Sequence, residues 1–390
     1  MITLFNTVIV KTQIIKRRYG WFLIAALVMA SCQQEESIDE LISGGSSNAD
    51  GVTLSFSVAG ELSPRTNLPG SDNMQHVTSV RLYIFNGTND NAPCIASEDI
   101  GWSAYFGNNP PTVTATMKYH VKYEGFVKGN PYTFLAVGLD DKSGSTYGFP
   151  NAIQVGSTVL SGAIATLAGT EASTWTSMRQ SELFAGSTVL TPGTTPIQGN
   201  VDLWRRVAGV MGWFTNIPTQ IGGTRVTAIR ITLYTQQNKS VPLLQRSQTP
   251  VFADYINSPL TITGGNVLVN IAVPTGVLPV TVLSQGSYVL PVPAPTPGGA
   301  NYTLKVELTD ASGNALRSIR VTLSDSDDSN SSGEGGTGII DPDGASHFPI
   351  VANRFYGVGS KLLPINLGGT VLRSTISADN KSAWEDLREK

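Results

Sequence analysis

The feature that most constrains the fold is a recurrent alternation of apolar and polar residues in short segments. The pattern is typical of strands, because successive side chains of a strand point to opposite faces of its sheet. Long amphipathic helical stretches are nearly absent. The sequence therefore predicts an all-β protein built from antiparallel β-sandwiches. The alternating segments are residues 53–58, 80–85, 112–117, 132–139, 226–234, 267–273, 302–308, 318–323 and 371–376.

The composition agrees with a chain of short strands and turns. Of the 390 residues, 14% are charged and 40 are glycine, whereas about a quarter of an average protein is charged. A long coiled coil would need abundant Ala, Glu, Lys and Leu, which are lacking. Two cysteines are too few for a disulfide scaffold.

The net charge combines a basic beginning with an acidic remainder. Residues 1–31 contain four basic residues and no acidic one, which leaves 22 basic residues against 29 acidic ones in the rest of the chain. A nucleic-acid-binding protein usually presents a basic face. We therefore expect no nucleic acid partner, and the balance fits a secreted or cell-surface protein.

The first 31 residues are predicted to be a signal peptide. Lys16, Arg17 and Arg18 precede the apolar run 21–30, which is too short to span a bilayer. Residues 29–32 (Met-Ala-Ser-Cys) resemble the lipobox of bacterial lipoproteins, in which the cysteine becomes the first mature residue and carries acyl chains such as palmitate. Cys32 is thus the predicted lipidation site. An ordinary signal peptide or a signal-anchor helix is the alternative.

The next segment, residues 32–51, is polar and rich in Gly and Ser, and is predicted to be a flexible tether. Gln33 and Gln34 follow the cysteine where an inner-membrane retention signal would place Asp. The outer membrane, facing the cell surface, is therefore the predicted location.

Two domains are predicted beyond the tether. Residues 140–200 have few charges and many Gly, Ser and Thr, as in a linker or a long loop. A new apolar run begins at Leu203. We place an N-terminal β-sandwich at residues 52–200 and a C-terminal β-sandwich at residues 201–390.

Catalytic and metal-binding motifs are not evident. His76, His120 and His347 lie far apart without a second ligand at metal spacing. Cys94, in NAPCIAS, is predicted to be a buried free thiol. The acidic run around Asp325 lacks the glycine and terminal Glu of a calcium loop. We expect no enzyme activity, no cofactor and no metal, although a pair of carboxylates distant in sequence leaves a glycosidase open.

The order of several segments resembles the fimbrillin family, the subunits of type V pili in Gram-negative anaerobes. The lipobox is followed by TLSFSV, by an arginine in ELSPRTNLPG and by VTSVRLYIFNG. Further along come YTFLAVGLDD, LWRRVAGVMGWFTNIP, ANRFYGVGSKLL and a late tryptophan. The resemblance spans nearly the whole mature chain.

This resemblance implies two tandem transthyretin-like sandwiches that assemble by strand exchange. In such pilins an Arg-specific protease cuts after the first strand, which leaves its groove to a donor strand from the next subunit. The exchanged strand here would be Thr53 to Val58, with Leu54, Phe56 and Val58 on its buried face. Arg65 would be the cleavage site, and Thr370 to Ile376, with Leu372 and Ile376, the candidate donor strand or an internal strand.

The resemblance also leaves the position in the fimbria open, because the family contains stalk, anchor and tip subunits. The predicted partners are other fimbrial subunits, the outer membrane through the lipid, and ligands on host or bacterial surfaces. The alternative function is an outer-membrane surface lipoprotein that binds glycans, with Trp102, Tyr105 and Phe106 as an aromatic patch unless these rings pack into the core.

Overall fold

The structure is a computed structural model. It describes residues 51–59, 77–106, 116–168, 176–244, 259–278, 280–292 and 303–324, and short stretches between residues 339 and 377. The predicted signal peptide and nearly all of the predicted tether lie outside these residues. Strands dominate the described part of the chain, so the predicted all-β sandwich fold is confirmed.

The first half of the chain supplies eight described strands and two short helices. Their bounds are β1 (Val52–Ala59), β2 (Ser79–Phe85), β3 (Cys94–Asp99), α1 (Trp102–Phe106), β4 (Thr116–His120), β5 (Tyr132–Leu139), α2 (Ser143–Thr146), β6 (Ile164–Thr166), β7 (Leu183–Leu190) and β8 (Ile197–Arg205), with a 3-10 turn at Leu160–Gly162.

Seven of these strands form one sheet in the order β3-β2-β5-β7-β8-β1-β4. The sheet curls until its two edge strands approach each other. Glu98 of β3 accepts hydrogen bonds from the Tyr119 hydroxyl of β4 and from the backbone N–H groups of Lys122 and Tyr123, at 2.8–3.0 Å. This carboxylate therefore pairs with two backbone N–H groups that follow the end of β4 and have no partner in the sheet.

The second half contains the remaining described strands. Their bounds are β9 (Ala208–Thr215), β10 (Gln220–Ile221), β11 (Thr224–Arg225), β12 (Ala228–Asn238), β13 (Ser240–Pro242), β14 (Pro259–Ala272), β15 (Leu283–Val289), β16 (Thr303–Thr309), β17 (Ala315–Ser324), β18 (Ile339–Ile340), β19 (Ser346–His347), β20 (Phe355–Val358), β21 (Ile365–Asn366) and β22 (Thr375–Ser377).

The main strands of the second half repeat the topology of the first. One sheet has the order β14-β12-β16-β17-β22 and the other has the order β15-β9-β20. Seven strands of each half are numbered here along the chain. Both halves then follow the order third, second, fifth, sixth and the order seventh, first, fourth, with β22 as an additional strand beside β17. The seven strands are β1, β2, β3, β4, β5, β7 and β8 in the first half, and β9, β12, β14, β15, β16, β17 and β20 in the second. In both halves the first of these strands pairs in parallel with the seventh, β1 with β8 and β9 with β20. The transthyretin-like designation stays a prediction, and so does the domain division at residue 200, which falls within β8.

The core is continuous across several of these strands. All eight residues of β5 are buried, as are the first seven of β9. Strands that are covered on both faces read as near-continuous apolar runs rather than as alternating ones. On one face of the first sheet, Phe56 of β1 and Phe134 of β5 lie in a core cluster with Trp102 of α1. The other face contributes to the larger core that extends into the second half.

The structure also shows where the sequence patterns mislead. Strand β5 has the predicted bounds, but its side chains are buried on both faces instead of alternating. Of the segment predicted at residues 112–117, the last two residues begin β4 (Thr116–His120), and residues 112–115 lie outside the described residues. The stretch 140–200 is not only linker, since it contains β6, β7 and the start of β8. Strand β7 was missed because its Ala-Gly-Ser centre lacks the β-branched residues that mark strands.

Gly186 in β7 is required by the close approach of β8. A Cβ atom at this position would overlap the backbone carbonyl oxygen of Asp202. We expect Gly186→Ala to lower the free energy of unfolding by about 2–4 kcal/mol, because the overlap is with backbone that cannot rotate away. Gly193→Ala is the matched control, since nothing lies within 4 Å of its added Cβ. Urea denaturation measures both, and equal stability of the two variants would contradict the prediction.

Candidate functional site

The predicted exchange strand lies inside the first sheet, not at its edge. On one side β1 pairs in parallel with β8, from Val52 opposite Ile197 to Ala59 opposite Trp204. On the other side it pairs antiparallel with β4. The backbone groups on both edges of β1 are therefore used in ladders, and removing the strand would leave two unpaired edges facing each other.

The inner face of β1 is deeply buried. Leu54 and Phe56 have no exposed surface, and Val58 is half-buried against the same cluster. Val52, two residues earlier on the same face, is also buried, and it was not among the predicted inner-face residues. Side chains at every second position of one strand thus fill a row of apolar pockets, which is the geometry of β-augmentation.

The outer face of β1 carries small polar side chains that bond to the neighbouring strands. The Thr53 hydroxyl lies 2.9 Å from Nδ1 of His120 on β4. The Ser57 hydroxyl donates to the Asp202 carboxylate on β8. These bonds fix the register of β1 against both neighbours, because a slip by one residue would exchange its apolar and polar faces.

Phe56 is the largest side chain that β1 contributes to the core. We expect Phe56→Ala to lower the free energy of unfolding by about 3–5 kcal/mol, through lost burial and the cavity left behind. Ser55→Ala, on the outer face of the same strand, should change it by less than about 0.5 kcal/mol. Urea denaturation measures both variants. A loss for Phe56→Ala no larger than for Ser55→Ala would show that β1 does not fill this groove in solution.

The remaining predicted site residues are placed as follows. Cys32, Arg65 and Leu372 lie outside the described residues. Ile376 belongs to β22, which pairs in parallel with β17 at the end of the five-stranded sheet, with Leu323 opposite Ile376. The lipidation, cleavage and donor assignments stay predictions. In the described part of the chain, no helix is long and apolar enough to span a membrane.

The aromatic patch predicted for glycan binding is only partly on the surface. Trp102 is 2% exposed, and its indole N–H donates to the Val77 carbonyl oxygen at 3.1 Å. Tyr105 is 43% exposed and stacks edge-on against Phe106. The core-packing alternative therefore describes Trp102, which cannot serve as a flat platform for a sugar.

Cys94 is a buried free thiol, as predicted. Burial raises its pKa to about 11. Since the thiolate is the reactive form of cysteine, a raised pKa makes this thiol inert near neutral pH.

A buried ionic cluster, which no sequence pattern indicated, lies where the two halves meet. Glu182 directly precedes β7, and its carboxylate accepts from Nε and Nη2 of Arg205 at 2.7 Å. Asp140 follows β5 and accepts backbone N–H bonds from Lys142, Ser143 and Glu182. No local pattern marks this cluster, because its members come from three separate strand ends.

Two acids in this cluster are harder to ionise than usual. Burial, together with the nearby charge of Asp140, raises the pKa of Glu182 to about 7, although Arg205 opposes the shift. Burial also raises the pKa of Asp140. The pKa of Tyr288 on β15 lies well above its ordinary value because of burial and the Glu182 charge. The cluster therefore binds a proton more tightly in the folded chain than in the unfolded one.

This proton makes stability depend on pH. The pKa of Glu182 rises from 4.5 to about 7 on folding, so its stabilising contribution is complete below pH 4.5 and is lost as pH rises through 7. The loss is about 3 kcal/mol for such a shift. We expect Glu182→Gln to flatten the decline in unfolding free energy between pH 5 and pH 8, with a remainder from Asp140. Exposed Glu124→Gln is the control, and an unchanged slope in Glu182→Gln would refute the assignment.

The sequence matches one known protein family. The family described as fimbrillin-A associated anchor proteins Mfa1 and Mfa2 matches residues 46–324. No curated protein matches the chain.

Several solved structures are similar at low identity. A candidate adhesin from Bacteroides ovatus is 17% identical with a TM-score of 0.40, over 85% of this chain and 93% of that one. A fimbrial assembly protein from Parabacteroides distasonis is 11% identical with a TM-score of 0.37, over 80% and 92%. The fimbrial anchor protein Mfa2 from Porphyromonas gingivalis is 12% identical with a TM-score of 0.33, over 69% and 81%.

The family match spans more than half of the sequence, from the end of the predicted tether through β17. It includes the whole sheet that holds β1 and most of the second half. The chain belongs to the family of fimbrillin-A associated anchor proteins, and its role is a fimbrial one at the cell surface.

Proposed function

We propose that the chain is the membrane-attached subunit at the base of a cell-surface fimbria. In this proposal Cys32 carries the lipid, the outer membrane holds the acyl chains, and the folded body joins other fimbrial subunits by strand exchange. The role is structural and not catalytic. The observation that carries the proposal is the position of β1, which follows the predicted tether directly and is built into the sheet on both sides.

An anchor needs β1 to stay in place. The lipid on Cys32 would be joined to the body only through the chain that enters β1 at Val52. If the chain were cut at Arg65 and β1 left its groove, the lipid would leave with it. We therefore propose that β1 remains in the sheet of the anchor, and that the exchanged strand is the one this chain gives to its neighbour, for which Thr370 to Ile376 is the candidate.

The paired edges of β1 support this arrangement. Two ladders, the buried side chains of Leu54 and Phe56, and the bonds from Thr53 and Ser57 all hold the strand. Several acyl chains on one cysteine would give stable attachment to a bilayer, whereas a single chain binds only marginally. The lipid would then be joined to β1 by the covalent chain, and β1 would be held in the body by its pairing with β4 and β8.

The first residue of the protein isolated from cells tests the anchor role. We expect mass spectrometry to find lipid-modified Cys32 at the amino terminus. A terminus at Thr66 would instead show that β1 is cut away, as in a stalk subunit, and would overturn the anchor proposal.

Cys32→Ser should release the protein from the membrane fraction, since serine cannot form the thioether on which the lipid depends. The measurement is the share of the protein that sediments with outer membranes, together with incorporation of labelled palmitate. Cys94→Ala is the matched control because Cys94 is buried in the fold, and it should keep both. Membrane retention of Cys32→Ser equal to that of the wild type would exclude Cys32 as the anchor.

A further inference from the structure

Strand β4 is the terminal strand of the first sheet, and it is attached to the body at two places. Among the described strands it pairs only with β1, in an antiparallel ladder. The ladder continues beyond β4, where the Val121 N–H donates to the Val52 carbonyl oxygen at 2.9 Å. The second attachment does not involve β1, because it comes from Glu98 of β3, the strand at the other end of the sheet order.

Glu98 and Tyr119 project from the same side of the sheet. In the strand registers Glu98 lies opposite Leu82, and Tyr119 lies opposite Leu54. Directly opposed residues of two paired strands share a face, and both leucines are fully buried in the core cluster that contains Phe56. The Glu98 carboxylate therefore reaches β4 on the side of the core that β1 completes.

The Glu98 carboxylate accepts three hydrogen bonds from β4 and the residues after it. Oε2 accepts from the Tyr119 hydroxyl at 2.8 Å and from the Lys122 N–H at 3.0 Å, and Oε1 accepts from the Tyr123 N–H at 2.9 Å. Hydrogen bonds to a charged acceptor are stronger than those between neutral groups. Burial and the bond to Glu98 raise the pKa of Tyr119, so its hydroxyl keeps the proton that it donates.

The segment after β4 is also held without the help of β1. We call residues 121–127 the β4 strap. Tyr123 and Phe126 of the strap are partly buried against the same core cluster. The Phe126 ring lies edge-on to the Tyr132 ring, with centroids 5.0 Å apart, and the Val127 N–H donates to the Tyr132 hydroxyl at 2.8 Å. Since Tyr132 belongs to β5, the strap ties β4 to strands that do not pair with β1.

These two attachments decide how β1 could leave the sheet. A terminal strand held only by its neighbour can come away together with that neighbour, and only the ladder between β1 and β8 would then have to break. When β4 is fixed independently, β1 must break both of its ladders at once. The free energy of a local opening depends on the contacts that are lost in it, so the bonds of Glu98 make the opening of β1 rarer.

We propose that Glu98 is the positioning residue that keeps β1 in the sheet, by fixing β4 and its strap to β3. The inference rests on the proposed anchor role, in which β1 remains in its groove, and it adds the side chain that retains the strand. What Glu98 excludes is an extended segment of another copy of this chain with the apolar alternation of β1. Such a segment could pair with β8 only after β1 and β4 had moved aside.

The test uses the full chain produced in a heterologous host and purified in detergent, so that β1 is present however the protein is processed in its own cells. Glu98→Ala removes the acceptor, and Glu124→Ala, at an exposed acid of the strap, is the matched control. Hydrogen exchange followed by mass spectrometry reports on β1, β4 and β5 separately. We expect exchange in β1 and β4 to be about tenfold faster in Glu98→Ala, with β5 and the control unchanged.

Tyr119→Phe removes one of the three donors and is the milder variant. We expect it to speed the exchange of β1 and β4 by a smaller factor, about threefold, again with β5 unchanged. Unchanged exchange of β1 and β4 in both variants would overturn the proposal. An equal acceleration of β1, β4 and β5 in both variants would overturn it too, because Glu98 would then stabilise the whole body and not the position of β4.

Capture of a strand gives a readout that a merely structural role would not move. The probe is a fluorescent peptide with the sequence of residues 51–59, and anisotropy measures its binding. We expect Glu98→Ala to capture the peptide about tenfold faster than the wild type and Glu124→Ala. A peptide with serine in place of Leu54 and Phe56 should not be captured. Equal capture by the wild type and Glu98→Ala, or equal capture of the two peptides, would refute the role of Glu98.

The first residue of the protein in its own cells separates this proposal from the anchor proposal. If the anchor role is wrong, that residue is Thr66, while the purified full chain still shows faster exchange of β1 in Glu98→Ala. If only the role of Glu98 is wrong, Cys32 carries the lipid and β1 exchanges in Glu98→Ala as it does in the wild type. The expected result is lipid on Cys32 together with faster exchange in Glu98→Ala.

Discussion

Each half of the body depends on the parallel pairing of its first main strand with its seventh, β1 with β8 and β9 with β20. In the first half, β1 lies between β8 and β4, and its inner side chains complete the core beneath them. In the second half, β9 lies between β15 and β20 and is buried on both faces. A strand in this position forms backbone hydrogen bonds along both of its edges, and its side chains pack into apolar layers on one or both of its faces. Its partners cannot form a closed sandwich without it.

The ionic cluster has a different effect on the same architecture. Asp140, Glu182 and Arg205 come from the ends of neighbouring strands and meet beside the second half. Buried charges are tolerated when they are paired and hydrogen-bonded, but such a pair is weak evidence for added stability. Here the two acids outnumber the nearby guanidinium that binds Glu182, and the protonated carboxyl resolves the excess charge. The meeting point of the two halves is thus buried, and it is destabilised as the pH rises and this carboxyl loses its proton.

The sequence predicted the elements whose pattern is local. The alternation in residues 53–58 placed Leu54 and Phe56 on one face, and the bounds of β5 were found at residues 132–139. It did not show that β5 is covered on both sides, because that depends on what packs against it. Strand β7 was not predicted because residue 186 is a glycine, which has a low strand propensity. The glycine is needed there because the backbone of β8 leaves no room for a Cβ atom.

The site was predictable to a similar extent. The inner face of β1 follows from a period of two, whereas its two neighbours, β8 and β4, follow only from the tertiary fold. Glu182 and Arg205 are 23 positions apart, and nothing in the intervening residues indicates that they meet. The contacts of Glu98 with the segment around β4 could not be predicted either, because most of them are with backbone N–H groups, which every residue type except proline carries. The predictions for the residues before Gly51, including the lipid site, come from sequence patterns alone.

The parallel pairing of the first and seventh strands also sets an order in time. Ser57 and Asp202 are 145 positions apart, so β1 is synthesised long before the strand it pairs with. Folds dominated by such distant contacts form slowly, since a large loop must close before the contact is rewarded. Until residue 205 has been made, Leu54 and Phe56 belong to a strand with an incomplete sheet, which is open to pairing with other chains. In a protein of this topology the amino-terminal strand is therefore the segment that stays open to mispairing for the longest part of synthesis.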